Sequence, residues 1–475
     1  MIKLKEVIKQ LNSNKYLEIE NKLIENKSDK LLFLLRAYKE DILTESAIKK
    51  KARISSQSFY VLKSRLNDRI KESLSPNLYE DREKTFKLML QLPDLCYNSP
   101  RETTIAYLLK LEKELLKHDM NNELLIVYNT LKKTHLNSNK YFHYSQLYNK
   151  QISFNLSIEK AEEILGNFCR VLQQFEFSKS EKFIEQLEFL KLEINNINQI
   201  YNSIQIQLIN NLIELHFQIF ITKDRSLALN TEELLYQTRK IFKDLPLIVI
   251  YKKWEIVLDY LSFEYYYSVS SIRKAHQYYE KVNLNASNFY LYNHIGSVSN
   301  FLISKIKFCL ELNKLDEISK PISIKEISFD SFDHYLIIRL AFYNALTYFF
   351  NHEPKKAREE LNIVLNNHVF VNYTHEFLNI KLTLVYICIE ANELDEASKA
   401  IKSISRKIKS LGNNKYNHVF HLLKVFELEI NKKHSYTINS KLKDSLILFL
   451  ALNENKNNLQ ILSHLIPHLK NKFQI

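Results

Sequence analysis

Apolar residues recur at every third or fourth position along nearly the whole chain, the period of helices with one buried face. Residues 2–11, 15–25 and 29–39 predict three short amphipathic helices, and two more follow over 43–52 and 53–74. Thr44 and Ser55 stand as N-caps of the last two. Leu43 with Ile48, and Ile54 with Phe59, have the spacing of a hydrophobic staple across each helix start. Phe59, Leu62, Leu66, Ile70 and Leu74 share one stripe of the final helix, and Pro76 stops it. Two stapled helices joined by a tight turn make the skeleton of a helix-turn-helix or winged-helix unit. Residues 1–76 are therefore expected to form one helical unit.

Further helices are predicted over 103–119, 123–136, 141–154, 158–177, 203–220 and 231–242, with Asn-rich breaks at Asn121–Asn122 and Asn195–Asn196. These form irregular hairpins within 77–254. From 255 to 475 a pattern recurs: a turn, a charged pair, a small or apolar residue and an amphipathic helix. Its copies are SIRKAHQYYEKV, KLDEISKPI, EPKKAREELNIVL and ELDEASKAIKSI. Aligned on Ala275, Ile318, Ala357 and Ala397, they are spaced by 43, 39 and 40 residues. A Leu-, Phe- and Tyr-rich stretch of helical length precedes each of the last three, which gives a helix–corner–helix unit with a period near 40. Residues 416–430, 442–452 and 459–469 predict helices that cap the array.

Composition narrows the class. The chain holds only three glycines and seven prolines in 475 residues. Strand-rich folds need turn residues at short intervals, and doubly wound folds need glycine where backbone meets phosphate. Neither need is met, so the expected class is all-α, with Asn supplying left-handed corners. An apolar share of 45% excludes a disordered chain. The longest clean apolar run, near Leu446–Leu452, is far short of the ~20 residues that cross a bilayer, so no membrane insertion is expected. The start, MIKLKEVIKQLNSNKYLEIE, is charged and amphipathic, unlike a secretory leader. Cys96, Cys169, Cys309 and Cys388 lack paired spacing and read as small buried apolar residues in a reducing compartment, which points to a soluble, cytoplasmic protein.

The last two copies resemble tetratricopeptide repeats. Ala345 occupies the small position of a first helix and Tyr348 its aromatic position, while Ala357 stands where two helices cross and Leu361 follows one turn on. In the next copy Leu384, Ala397 and Ile401 fit, while Val385 and Cys388 replace the small and aromatic residues. Alanine at a crossing lets helix axes approach closely. The resemblance covers 255–412 and implies a tetratricopeptide-like α-solenoid of antiparallel helix hairpins, a non-catalytic scaffold with a protein or peptide partner. Together with the N-terminal unit, the order resembles that of peptide-sensing bacterial regulators.

Charge adds a second candidate surface. Residues 49–71 hold eight Lys or Arg against one Asp, in a chain of net charge +13. Lys49, Lys50, Lys51 and Arg53 precede the last helix of the unit, where a recognition helix has its phosphate-contacting flank. Ser56 and Gln57 begin that helix, where side chains reach base edges, and Arg65 and Arg69 project from it. These residues are the candidate nucleic-acid contacts. Asp68 and Glu72, three residues after each arginine, could instead make this an ordinary solvated face.

No glycine-rich phosphate loop, nucleophile elbow or helical zinc motif occurs. His418 with His421, and His464 with His468, lack the further ligands of a metal shell. No catalytic activity, metal or cofactor is expected. Two functions remain: a protein- or peptide-binding scaffold, or a regulator whose N-terminal unit contacts DNA while the repeats sense a peptide or protein.

Overall fold

The computed structural model describes residues 4–5, 8, 11, 13–26, 28–40, 45–52, 55–74, 80–117, 120–201, 203–222, 228–244, 249–312, 314–318, 321–322, 334–367, 370, 373–411, 415–431, 436–455 and 459. Among the described residues the protein is all-helical, without strands, and its helices pack largely as adjacent pairs. It divides into two compact units, residues 1–165 with 193–211, and residues 166–192 with 212–475.

The first unit opens with α1 (Ser13–Glu25), α2 (Asp29–Glu40), α3 (Glu45–Ala52) and α4 (Ser56–Leu74). Their apolar stripes meet in one cluster that includes Ile19, Leu23, Leu34, Leu35, Tyr38, Ile48, Phe59, Leu66 and Ile70, each at most 3% exposed. Thr44, Leu43 and Ile54 lie outside the described residues. Ser55 caps α4: its Oγ accepts from the Ser58 backbone N–H at 3.3 Å. Next come α5 (Glu80–Leu90), α6 (Leu92–Asn98), α7 (Arg101–Lys117) and α8 (Asn121–Thr134). A second cluster, including Leu108, Leu115, Leu124, Val127 and Leu131, lies among them. Cys96 is exposed on α6, unlike the three buried cysteines, which corrects the expectation that all four fill the interior.

Residues 141–154 and 158–177 do not form two helices. They are one, α9 (Lys140–Ser178), of 39 residues. The intervening residues Asn155–Ser157 contain neither Gly nor Pro to break the helix, and the Ser157 hydroxyl is absorbed by donating to the Phe154 carbonyl at 2.6 Å. α10 (Lys182–Ile200) and α11 (Ile204–Phe217) follow, and a single π-helical turn, Gln218–Thr222, continues α11.

The second unit continues through α12 (Ala228–Asp244), α13 (Val249–Ser268), α14 (Ile272–Leu284), α15 (Ala286–Tyr292) and α16 (Ile295–Glu311). After the 3-10 turn Leu315–Ile318 come α17 (His334–Phe350), α18 (Pro354–Asn367), α19 (Thr374–Glu390), α20 (Leu394–Ser410), α21 (Val419–Ile430) and α22 (Tyr436–Asn455). α13 pairs with α14, α17 with α18, α19 with α20 and α21 with α22.

All four alignment positions are core: Ala275, Ala357 and Ala397 are fully buried and Ile318 is 1% exposed. Ala345, Leu361, Leu384 and Ile401 are also buried, whereas Tyr348 is half-buried beneath the Lys356 ammonium, 5.6 Å from its ring centre. The four corners share one hydrogen bond, from a backbone N–H to the carbonyl five residues back. It runs from Ser271 to Tyr266, Lys314 to Cys309, Glu353 to Tyr348 and Glu393 to Cys388, at 2.8–2.9 Å. At three of these corners the residue before the donor is left-handed: Ser270, His352 and Asn392. Asn supplies one of the three, so this capping bond accommodates other polar residues as well. The copy at 314 makes only the 3-10 turn among the described residues, while the other three continue into full helices.

Candidate nucleic-acid interface and the α16–α17 face

On α4 the core stripe leaves the opposite side to solvent. Gln57, Tyr60, Val61, Ser64, Arg65 and Asp68 are exposed there at helical spacing, with Tyr60 at 65% and Val61 at 50%. A merely solvated face is usually Lys- and Glu-rich. This one mixes amide, hydroxyl, aromatic and aliphatic groups with a single cation and a single anion.

The flanking cations have different surroundings. Lys50 and Lys51 are exposed at the end of α3. Lys49 is half-buried, its ammonium 5.1 Å from the Phe59 ring centre and 5.9 Å from that of Tyr60. Lys63 pairs with Glu45 at 2.7 Å, and Glu45 also accepts from the Tyr38 hydroxyl at 3.1 Å. The Lys63 hydrogen bond leads the causes that hold the Glu45 carboxyl below its ordinary range. Glu45 therefore spends its charge within the unit. Among the described residues Arg65 makes no ion pair with Asp68, although both are exposed. Arg69 is exposed one turn beyond Arg65. Arg53 lies outside the described residues, and of Ser56 only the backbone position at the start of α4 is described. The sequence thus identified the cations but missed Tyr60 and Val61. Their absence from the core stripe is the signal that could have found them.

In the second unit the last part of α9 meets α16, α17 and Tyr373, the residue before α19. A Cβ on Gly296 would lie 3.1 Å from the Cys169 carbonyl oxygen and 3.2 Å from the Gln173 Cβ, so only glycine allows this crossing without displacement. Gln173, 4% exposed, reaches the Ser299 hydroxyl with its amide at 3.4 Å. Phe177, fully buried, meets the rings of Tyr335 and Tyr373 at 5.0 and 6.0 Å, and the Arg339 guanidinium stacks 4.6 Å from its centre. The Lys415 ammonium donates to the Lys179 carbonyl at 2.9 Å.

Charged groups are buried around this segment. Arg339 pairs with fully buried Glu376 at 3.1 Å, and the Asn379 amide donates to the other Glu376 oxygen at 3.4 Å. Burial pushes the Glu264 carboxyl up to about 7, against the Ser304 hydroxyl and the Lys307 ammonium, which favour its charge. Burial likewise pushes Lys307 down to about 7, opposed by Glu264 and reinforced by Arg339. Glu176 and Lys179 pair with each other at 2.6 Å and act on Lys307 electrostatically.

Among the described residues no group of three or more His, Cys, Asp or Glu could hold a metal ion. His418 is buried and His421 half-buried, while His464 and His468 lie outside the described residues. No described helix is long and apolar enough to cross a membrane. Compared with family models, curated proteins and solved structures, the chain matches none.

Proposed function

We propose that this chain is a non-catalytic interaction protein of regulator type, in which the α3–α4 pair contacts duplex nucleic acid and a tetratricopeptide-like α-solenoid of helix hairpins receives a protein partner. The exposed side of α4 carries the first part of the reading. Side chains suited to base edges sit at its centre, and Lys50, Lys51 and Arg65 stand near it to meet phosphates. The capping bond shared by the four corners and the buried alanines Ala275, Ala357 and Ala397 support the solenoid. A cytoplasmic setting accords with the free thiols Cys169, Cys309 and Cys388.

A protein partner is favoured by one further observation. A groove of about 410 Å³ runs between α9 and α10 in the second unit, beside Arg170, Val171, Gln186 and Phe189, and Phe189 is 66% exposed. The nucleic-acid reading is tested by a gel shift of the full chain with mixed-sequence duplex DNA across a salt series. The wild type is expected to bind at low salt. The triple variant Lys50→Glu, Lys51→Glu, Arg65→Glu is expected to lose binding, because about three phosphate contacts and their released counterions vanish. A wild type that shifts no duplex at any salt concentration ends this reading.

A further inference from the structure

Stacked helix pairs offer an extended face on which a partner helix can lie. Here the face of α16 and α17 is occupied by the chain itself. The occupant is a hairpin tip, residues 166–192, made from the end of α9 and the start of α10. It is the only part of the chain before residue 212 that belongs to the second unit, and both of its helices continue into the first. Its contacts have the character of a bound helix. Cys169, Gln173 and Phe177 are four residues apart, as in the anchor spacing of a helix laid in a groove. Each has its own receptor: Gly296 for the backbone at Cys169, Ser299 for Gln173, and Tyr335, Tyr373 and Arg339 for Phe177. The tip turns at Lys179, whose φ of 50° is uncommon for a residue with a side chain, and the Lys415 ammonium fastens its carbonyl.

We propose that residues 166–192 are a resident plug on a helix-binding face, an autoinhibitory contact that keeps α16 and α17 closed to partner helices until the tip withdraws. The partner that fits is an amphipathic helix with a small residue, an amide and a Phe at successive four-residue intervals. The receptor is polar and charged beneath the plug: Ser299, Arg339, Glu376, Glu264 and Lys307 are all at least nine-tenths buried. A surface meant only for permanent packing gains more from apolar side chains, since buried ion pairs often stabilise no better than apolar residues of their size. The inference stands independently of nucleic-acid binding by α3–α4.

Hydrogen exchange on the full-length chain tests it directly. Amides of 168–177 are expected to exchange at least ~10-fold faster than those of 300–308 in α16 and 338–346 in α17, by a partial opening that leaves the pairs intact. Equal protection of all three segments overturns the proposal, because the tip then opens only when the unit unfolds. A second measurement uses the double variant Gln173→Ala, Phe177→Ala and a labelled synthetic peptide of residues 164–181. The variant is expected to keep its helical circular dichroism and capture the peptide, while the wild type does not. A variant that loses its helical signal, or folds and captures nothing, counts against a plug and makes the tip part of the core.

Discussion

The buried ion pair between α17 and α19 gives a quantitative check on how the second unit is held. Arg339 is 7% exposed along its side chain and Glu376 is fully buried, with 3.1 Å between them. Replacing Arg339 with Met removes the only cation that pairs directly with Glu376 among the described residues, and leaves a carboxylate with one long amide contact. Breaking one partner of such a pair costs about 3–5 kcal/mol, because the survivor is neither solvated nor neutralised. The lower end is expected here. Arg339 also crowds the buried Lys307, and its loss relieves that repulsion. The double variant Arg339→Met, Glu376→Leu removes both charges and should recover most of the loss, since an apolar pair of similar volume is near neutral. Urea unfolding followed by Trp254 fluorescence reads the effect in the right place: Trp254 is the sole tryptophan and is 4% exposed within the second unit. With a slope of about 3 kcal/mol/M, the single variant shifts the midpoint by ~1 M or more. A single-variant cost below about 1 kcal/mol, or a double variant as unstable as the single, would refute the reasoning.

Three further outcomes follow from the same structure. Ala397→Leu forces a larger side chain into the crossing of α19 and α20, where Ala397 is fully buried, and is expected to cost about 1–3 kcal/mol by the same Trp254 readout. Ser55→Ala removes the α4 cap and is expected to destabilise the first unit by about 1 kcal/mol, measured by hydrogen exchange of the Phe59–Ile70 amides. Burial raises Glu264 from 4.5 to about 7, so the folded chain holds a proton there that the unfolded chain has released. This contribution to stability is full below 4.5 and is lost as pH rises through 7, and Glu264→Gln should flatten that decline in urea midpoints measured between pH 4.5 and 7.

Periodicity made the helices of this protein legible, because burial of one face every 3.6 residues leaves its mark on any single sequence. The spacing of the four corners was legible for a similar reason. Ala275, Ala357 and Ala397 must be small wherever helices cross, and the corner bond recurs at the same offset from each. The continuity of α9 was harder to read. The sequence reads as two segments on either side of Asn155–Ser157, yet one helix runs through both. The occupant of the α16–α17 face was hardest of all, since nothing local says which surface Gln173 will meet 126 residues later. Yet one signal was present. Of three glycines in 475 residues, two are Gly166 and Gly296, and both lie inside helices, where glycine costs about 1 kcal/mol relative to alanine. At Gly296 a Cβ would lie 3.1 Å from the Cys169 carbonyl oxygen of α9, whereas at Gly166 it would make only ordinary contact with the His294 side chain at 3.4 Å. A helical glycine crowded like Gly296, in a protein so sparing of glycine, marks a close helix–helix approach. Gly296→Ala should therefore loosen the 168–177 segment before it disturbs any corner of the hairpins.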